Sequence, residues 1–318
     1  MTIKLNKIFI ATGGTGGHIF PAYGLAKHLM NKKIDIELIT DKRGFKLLKE
    51  FKDLKITQIN STTIYKKGIL NFIPSILIII YSLLRSFIFL LLNRPNFVFG
   101  MGGYSSFPVC IAAYILRIPL IVYENNLHIG KANSYLLPFA KKVFVSNASL
   151  EGVSKKYKDK VCEIGNIIRE EILNYKKQTN VTYENKKIKI LILGGSQAAK
   201  IFADELPEIF KKCHEAKIPL KIYQQCLPSQ NEFLESFYKN LGIEFEIFRF
   251  TNNILDYFSK IDLAITRSGS SMLAELINAN IPFISVPLPT SADNHQLKNA
   301  IYYEKNQYSY LIEEKDLD

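Results

Sequence analysis

The chain has no cysteine pair of CxxC spacing and no zinc-ligand pattern. Its four cysteines, Cys110, Cys162, Cys213 and Cys226, stand far apart, which excludes a zinc module and a disulfide framework and leaves buried thiols in a reducing cytosol as the expectation. A secretory leader is not expected either. Lys4 and Lys7 precede an apolar run too short for a signal h-region, and the run ends in a glycine turn, so no secretion is expected. Acidic residues are scarce relative to basic ones, 29 against 41, for a net charge of +12. The excess is mostly lysine spread along the chain, a diffuse surface that favours anionic partners (nucleotide, nucleic acid or acidic lipid) without choosing among them. The chain lacks a basic helix and the aromatic and basic interleaving of RNA-binding motifs, which argues against nucleic acid as the partner.

What is present is an α/β pattern. The 318 residues, 47% of them hydrophobic, suffice for two domains. Ile8 to Ala11 read as a buried strand. A glycine turn follows in "GGTGGHIFPA" (13–22), and then Ala22, Leu25, Ala26 and Leu29 recur at helical spacing. Glycines allow close backbone approach and a helix N-terminus offers N–H donors, so this turn suits a phosphate. It is neither a dinucleotide fingerprint, since Ile19 stands where the third glycine would be, nor a P-loop, since glycine and lysine are missing at 18 and 19.

A second copy of the element begins at 187, where "KIKILILGGSQAAKIFADELPEIFKKC" gives strand, turn at Gly194 and Gly195, and helix. The polar stretch 174–187 between the copies reads as a linker or surface excursion. Two such openings predict two doubly wound parallel-sheet domains facing a cleft, with ligands at the carboxyl ends of the strands. Further apolar strands are expected at 34–40, 97–100, 119–124, 142–147, 262–267 and 282–287. Several end in residues able to bind a ligand: Gly100, Gly102 and Gly103; Glu124, Asn125 and Asn126; Arg267 with its serine–glycine turn.

The most apolar segment is 68–95. With Pro74 in its first turn, a helix to Leu92 would run about 28 Å, close to a bilayer core. Asn71, Ser75, Ser82, Arg85 and Ser86 form a polar stripe along it, and Lys66, Lys67 and Arg94 put positive charge at both ends. The favoured expectation is a helix that packs on its domain and dips into the membrane interface, with a buried core helix as the alternative.

Taken together, "GGTGGHIFPA", "GMGGYSSFP", "YENN", "GNIIRE", "GGSQAAKIF", "TRSGSSMLAE" and "ADNHQLKNA" occur in the order seen in MurG-type enzymes. These are the undecaprenyl-diphospho-muramoylpentapeptide N-acetylglucosaminyltransferases of peptidoglycan synthesis, and the chain resembles them over essentially its whole length. The resemblance implies a GT-B fold, with residues 1–165 as an acceptor- and membrane-associating domain and 166–318 as a UDP-GlcNAc-binding domain. It implies inverting transfer of N-acetylglucosamine to the 4-hydroxyl of the muramoyl sugar of lipid I, giving lipid II, at the cytoplasmic face of the inner membrane. The implied partners are UDP-GlcNAc, lipid I, an anionic membrane surface and a cell-wall synthesis complex, with no cofactor.

Carried over residue by residue, the resemblance puts Thr15, Gly16 and Gly17 near the sugar and diphosphate groups, and Gly102, Gly103 and Tyr104 at the acceptor diphosphate. His18 and Glu124 compete as the catalytic base, and both remain open. Asn126 would bind the donor sugar, and Arg169 and Ser196 the UDP diphosphate. Thr251 would meet the uracil through its main chain. Ser270, Ser271, Met272, Leu273, Ala274 and Glu275 would border the nucleotide, with Glu275 accepting from the ribose hydroxyls, while His295 and Gln296 would read the sugar hydroxyls. Asp-x-Asp spacing occurs only at Asp316 and Asp318, so departure of UDP without a metal is expected. The chain departs from the family pattern in three places: Tyr123 stands where histidine is usual, Ala198 and Ala199 follow the "GGSQ" turn, and members continue through further helices beyond "EEKDLD". The rival readings are a UDP-N-acetylglucosamine 2-epimerase-like enzyme on the same architecture and a non-enzymatic basic membrane- or nucleic-acid-binding protein.

Overall fold

The computed structural model describes residues 6–317 apart from 15, 50, 52, 60–68, 178–186, 196–198 and 252, with the side chains of 69–73 also outside the description. The chain divides into two compact units, Met1–Glu170 and Glu171–Asp318. Arg169 therefore belongs to the first unit, although the sequence reading grouped it with the second.

The first unit is a seven-stranded parallel sheet of order β3-β2-β1-β4-β5-β6-β7. Its strands are β1 (Lys7–Ala11), β2 (Asp35–Thr40), β3 (Lys55–Gln58), β4 (Phe97–Gly100), β5 (Leu120–Glu124), β6 (Lys142–Val145) and β7 (Val161–Glu163). The helices α1 (Gly16–Asn31), α2 (Lys42–Leu48), α3 (Ile69–Asn93), α4 (Ser106–Ile115) and α5 (Lys131–Leu136) connect them, and α6 (Glu170–Leu173) follows. β1 to β3 grow in one direction and β4 onward in the other, so the order reverses between β1 and β4, where Ala11 pairs with Gly100. Such a switch point opens a crevice at the strand ends. Phe9, Ala11, Val98 and Val122 sit in a core on one face of the sheet, and Ile8, Ile10, Phe99 and Tyr123 in a core on the other. This two-sided burial is why the strands read as near-continuous apolar runs.

The second unit repeats the plan with six parallel strands of order β10-β9-β8-β11-β12-β13. They are β8 (Ile188–Leu193), β9 (Leu220–Gln225), β10 (Glu244–Phe248), β11 (Leu263–Thr266), β12 (Phe283–Ser285) and β13 (Ser309–Leu311), joined by α7 (Lys200–Glu215), α8 (Asn231–Asn240), α9 (Leu255–Phe258), α10 (Ser270–Asn278) and α11 (His295–Lys305). Here the reversal falls between β8 and β11, with Leu193 opposite Thr266. Each unit is therefore a Rossmann-like sheet, and the pair makes the fold of GT-B type.

α3 differs from its expected form in two ways. It begins at Ile69, so Pro74 lies inside the helix rather than in its first turn. Its polar stripe splits: Ser75, Ser82 and Ser86 are buried, whereas Arg85 is exposed. The buried serines are small enough for α3 to lie along α4, where Cys110, Ala112 and Ala113 are fully buried. The hydroxyls of Ser82 and Ser86 are satisfied within the helix, Ser82 Oγ donating to Ile78 O at 2.7 Å and Ser86 Oγ to Ser82 O at 2.6 Å. Leu77, Tyr81, Leu84, Ile88, Leu91 and Leu92 point outward, more than half exposed, and Pro74–Asn93 is long and apolar enough to cross a membrane by length and composition.

Candidate active site

In the first unit two glycine turns meet at the switch point. Gly14 follows β1 with φ +88°, and Gly102 and Gly103 follow β4 with φ +87° and +81°, backbone that side-chain-bearing residues rarely adopt. The turns also touch. A Cβ on Gly103 would lie 2.4 Å from Gly13 O, and one on Gly13 would lie 1.6 Å from Ser105 Oγ. The start of α1 is fixed from both sides, Thr12 Oγ1 donating to His18 O at 3.0 Å and Asn125 Nδ2 to Gly17 O at 2.9 Å. Gly16, Gly17 and His18 thus form the N-terminal turn of a 16-residue helix, and the positive end of the helix dipole there favours an anion. The His18 ring lies against the β4 turn, its Cε1 and Nδ1 being 2.9 and 3.0 Å from where a Cβ on Gly102 would stand. Tyr104, at the same turn, is partly exposed. Thr15 lies outside the described residues.

Glu124 ends β5 almost completely buried, and four donors surround its carboxylate. The Asn126 backbone N–H and Nδ2 both reach Oε1 at 3.0 Å, while Gly130 N and Asn133 Nδ2 reach Oε2 at 2.9 Å. Asn133 Nδ2 also donates to Tyr123 O at 3.0 Å, and Asn126 Nδ2 to Asn125 Oδ1 at 3.2 Å. The carboxylate is therefore the hub that folds the 125–130 loop. The sequence reading missed Asn133, whose only signal was a buried amide on the next helix.

Tyr123, the departure from the family pattern, has a structural use. Its hydroxyl donates to Gly165 O at 3.2 Å and accepts from Ile167 N at 3.0 Å, tying β5 to the segment that leads into Arg169. Gly24 on α1 makes room for that segment, since a Cβ there would be 3.2 Å from Ile168 O. Arg169 is 6% exposed, with its guanidinium 5.2 Å from the centre of the Phe20 ring.

In the second unit Gly194 and Gly195 follow β8, Gly195 with φ +79°, while Ser196 lies outside the described residues. Across the switch point, β11 runs into Arg267, Ser268 and Gly269 and then α10. Arg267 is spent internally. Its guanidinium pairs with Glu314 Oε2 at 2.7 Å, donates to Val286 O and Pro287 O at 3.3 Å, and lies 5.0 Å from the Phe202 ring. Ser270, Ser271 and Glu275 are buried along α10, and Leu273 has its side chain wholly within the core, so only its main chain could face a ligand. Ala274 is buried too, and Met272 packs on the same core.

The approach to α11 is strained, with Asp293 and Asn294 both left-handed at φ 52° and 53°. His295 Nδ1 lies 2.7 Å from Ala292 O, and Gln296 Oε1 accepts from Leu288 N at 3.0 Å. The Gln296 side-chain carbonyl is thus committed to its own loop. Thr251 uses its hydroxyl in a local turn, accepting from Asn253 N at 3.1 Å. Among the described residues no cluster of three or more His, Cys, Asp or Glu side chains is arranged to hold a metal ion.

The chain matches the glycosyltransferase family 28 N-terminal domain over residues 8–145 and the family 28 C-terminal domain over residues 189–318. It is 34% identical over 313 residues to the UDP-N-acetylglucosamine–N-acetylmuramyl-(pentapeptide) pyrophosphoryl-undecaprenol N-acetylglucosamine transferase of Pelagibacter ubique, covering 98% of this chain and 86% of that one. The chain belongs to the MurG-type enzymes of glycosyltransferase family 28. Among solved structures, Acinetobacter baumannii MurG superposes with a TM-score of 0.73 at 26% identity, covering 98% of this chain and 86% of that one. The UDP-GlcNAc 2-epimerase of Methanocaldococcus jannaschii gives a TM-score of 0.63 at 16% identity, with 98% and 90% covered. That likeness is one of fold, and the MurG-type membership covers both units.

Proposed function

We propose that this MurG-type chain transfers N-acetylglucosamine from UDP-GlcNAc to the 4-hydroxyl of the muramoyl sugar of lipid I, with inversion at the anomeric carbon. The carrying observation is the match over 98% of the chain to an enzyme named for that transfer, which brings both glycine-lined switch points with it. The first unit takes the acceptor, whose diphosphate is held by the Gly102, Gly103 and Tyr104 turn, with Thr15, Gly16 and Gly17 lining the sugar and diphosphate groups. The second unit takes the donor. Gly194, Gly195 and Ser196 hold the diphosphate, the N-terminal turn of α10 with Ser270 and Ser271 and the stretch to Glu275 border the nucleoside, and Thr251 meets the uracil. His295 and Gln296 read the sugar, as does Asn126.

His18 is proposed as the base. A neutral imidazole at the crevice can take the proton of the 4-hydroxyl near pH 7 as that oxygen bonds to the anomeric carbon and the carbon–oxygen bond to UDP breaks. Glu124 is assigned to positioning, because its four hydrogen bonds occupy both oxygens with donors of the 125–130 loop and of Asn133 on α5. The charge released on UDP is stabilised by helix N-terminal N–H groups and by the Arg169 guanidinium. The outward apolar face of α3 is proposed to lie in the interface of the cytoplasmic leaflet, close to the supply of the lipid-linked acceptor.

The test is incubation in detergent and EDTA with UDP-GlcNAc and a short-chain lipid I analogue, read by mass spectrometry. A product heavier by one N-acetylhexosamine is expected. Conversion of UDP-GlcNAc to UDP-N-acetylmannosamine with no such product would overturn the assignment in favour of an epimerase.

A further inference from the structure

β9 ends in two glutamines whose side chains point to opposite faces of the sheet, and they perform different tasks. Gln224 belongs to the core: Tyr238 OH donates to its Oε1 at 2.6 Å and its Nε2 donates to Phe202 O at 3.2 Å. Gln225, 6% exposed, reaches two loops at once. Its Oε1 accepts from Gly194 N at 3.1 Å, and its Nε2 donates to Arg249 O at 3.1 Å. Gly194 opens the glycine turn after β8. Arg249 is the first residue past β10, on the way to Thr251, and the β9–β10 ladder ends at the pairing of Gln225 with Phe248. Beyond that last rung, Arg249 and Phe250 run along the exposed surface, and the Gln225 amide extends the sheet's hold by one more residue.

An amide has one accepting and one donating end at a fixed separation, so a side chain bonded at both ends sets the spacing between the two backbones it joins. We propose that Gln225 is a positioning residue for the nucleotide. It fixes the distance between the turn at Gly194–Gly195 and the segment Arg249–Thr251, so that preference for uracil over other bases depends on a side chain that does not touch the base. The inference rests on the proposed reading that the second unit binds UDP with Thr251 at the uracil. Stability should depend on Gln225 only weakly, because Arg249 is exposed and its carbonyl can turn to water when the amide is removed.

Calorimetric titration of the full chain with UDP and with CDP tests this, since the two share ribose and diphosphate and differ at the base edge. The unaltered protein is expected to prefer UDP by tenfold or more. Gln225→Met, which removes both ends of the amide at similar volume, is expected to lose about tenfold in UDP affinity and to bind UDP and CDP within about threefold of each other, with its thermal midpoint little changed. Gln225→Glu keeps the acceptor and loses the donor. The added charge weakens both nucleotides alike, so the ratio of affinities should still collapse. Gln224→Met is the control: it should lower the thermal midpoint and leave the UDP-to-CDP ratio intact. The proposal is overturned if Gln225→Met keeps the ratio of the unaltered protein, or if Gln224→Met collapses it equally. If the unaltered protein fails to bind UDP, or binds UDP and CDP alike, the underlying nucleotide reading falls and the proposal with it.

Discussion

Substituting Glu124 by glutamine separates its two possible roles. The carboxylate accepts two donors on each oxygen. A carboxamide keeps one accepting oxygen, and whichever way it is turned, its NH2 group faces a backbone N–H and an asparagine NH2. At least two hydrogen bonds to a charged group are lost, each contributing ~1.5–3 kcal/mol, and donors are brought face to face, so the expected loss is ~3–5 kcal/mol. For a unit the size of Met1–Glu170, at ~2–4 °C per kcal/mol, the first unit's transition should fall by roughly 6–20 °C. Differential scanning calorimetry of the full chain reads this directly, and the transfer assay run well below the lowered transition reads the remaining turnover. His18→Gln is the companion: a transition close to that of the unaltered protein and turnover down by ~10²–10⁴. If Glu124→Gln leaves the transition within about 2 °C yet abolishes turnover while UDP still binds, the carboxylate is the proton acceptor and the positioning argument is refuted.

Gly102→Ala puts a methyl group 2.9 Å from His18 Cε1 at a φ of +87°, so turnover should drop sharply while UDP binding by calorimetry stays unchanged; loss of UDP binding would show that the first-unit turn serves the donor. Leu84→Asp with Ile88→Asp alters two exposed positions and should shift stability by less than ~1 kcal/mol while removing sedimentation with anionic vesicles, and retained sedimentation would reject α3 as the membrane-facing element. Ser86→Leu, at a fully buried position, should instead destabilise by ~1–3 kcal/mol through overpacking against α4, as a urea titration would report. Burial pushes the Cys110 thiol up to about 12, so native alkylation at pH 8, read by peptide mass spectrometry, should label exposed Cys162 and leave Cys110 untouched until urea is added; labelling of Cys110 in the native state would place it near an opening.

The strand–turn–helix openings were legible because glycine at a positive φ and apolar residues at fixed periods are local demands, visible at Gly14, Gly102 and Gly195 and in Ala22 and Ala26. Strands escaped where polar residues interrupt them. β3, β7, β10 and β13 lie at or beside the sheet edges and carry Lys, Glu or Tyr outward, and β9 has Gln224 and Gln225 where a buried strand would ordinarily be apolar. The face that α3 buries was not legible either. A serine stripe on an apolar helix reads as the wet side until the small residues of α4 show that close approach was the requirement. At the site, Glu124 stood out as a carboxylate at a strand end, but only the positions of Gly130 and Asn133 show that its oxygens are taken. Tyr123 counted as a deviation until its reach to Gly165 and Ile167 gave it a partner.

The inside-out build of α3, serine toward the protein and leucine toward the surroundings, governs how the protein must be handled. Among the described residues none covers its outward face, so in plain buffer another copy of the chain is its readiest apolar partner. Sample homogeneity should then follow the supply of amphiphile rather than ionic strength, and a large particle size in detergent-free buffer would report a shortage of lipid rather than a physiological assembly.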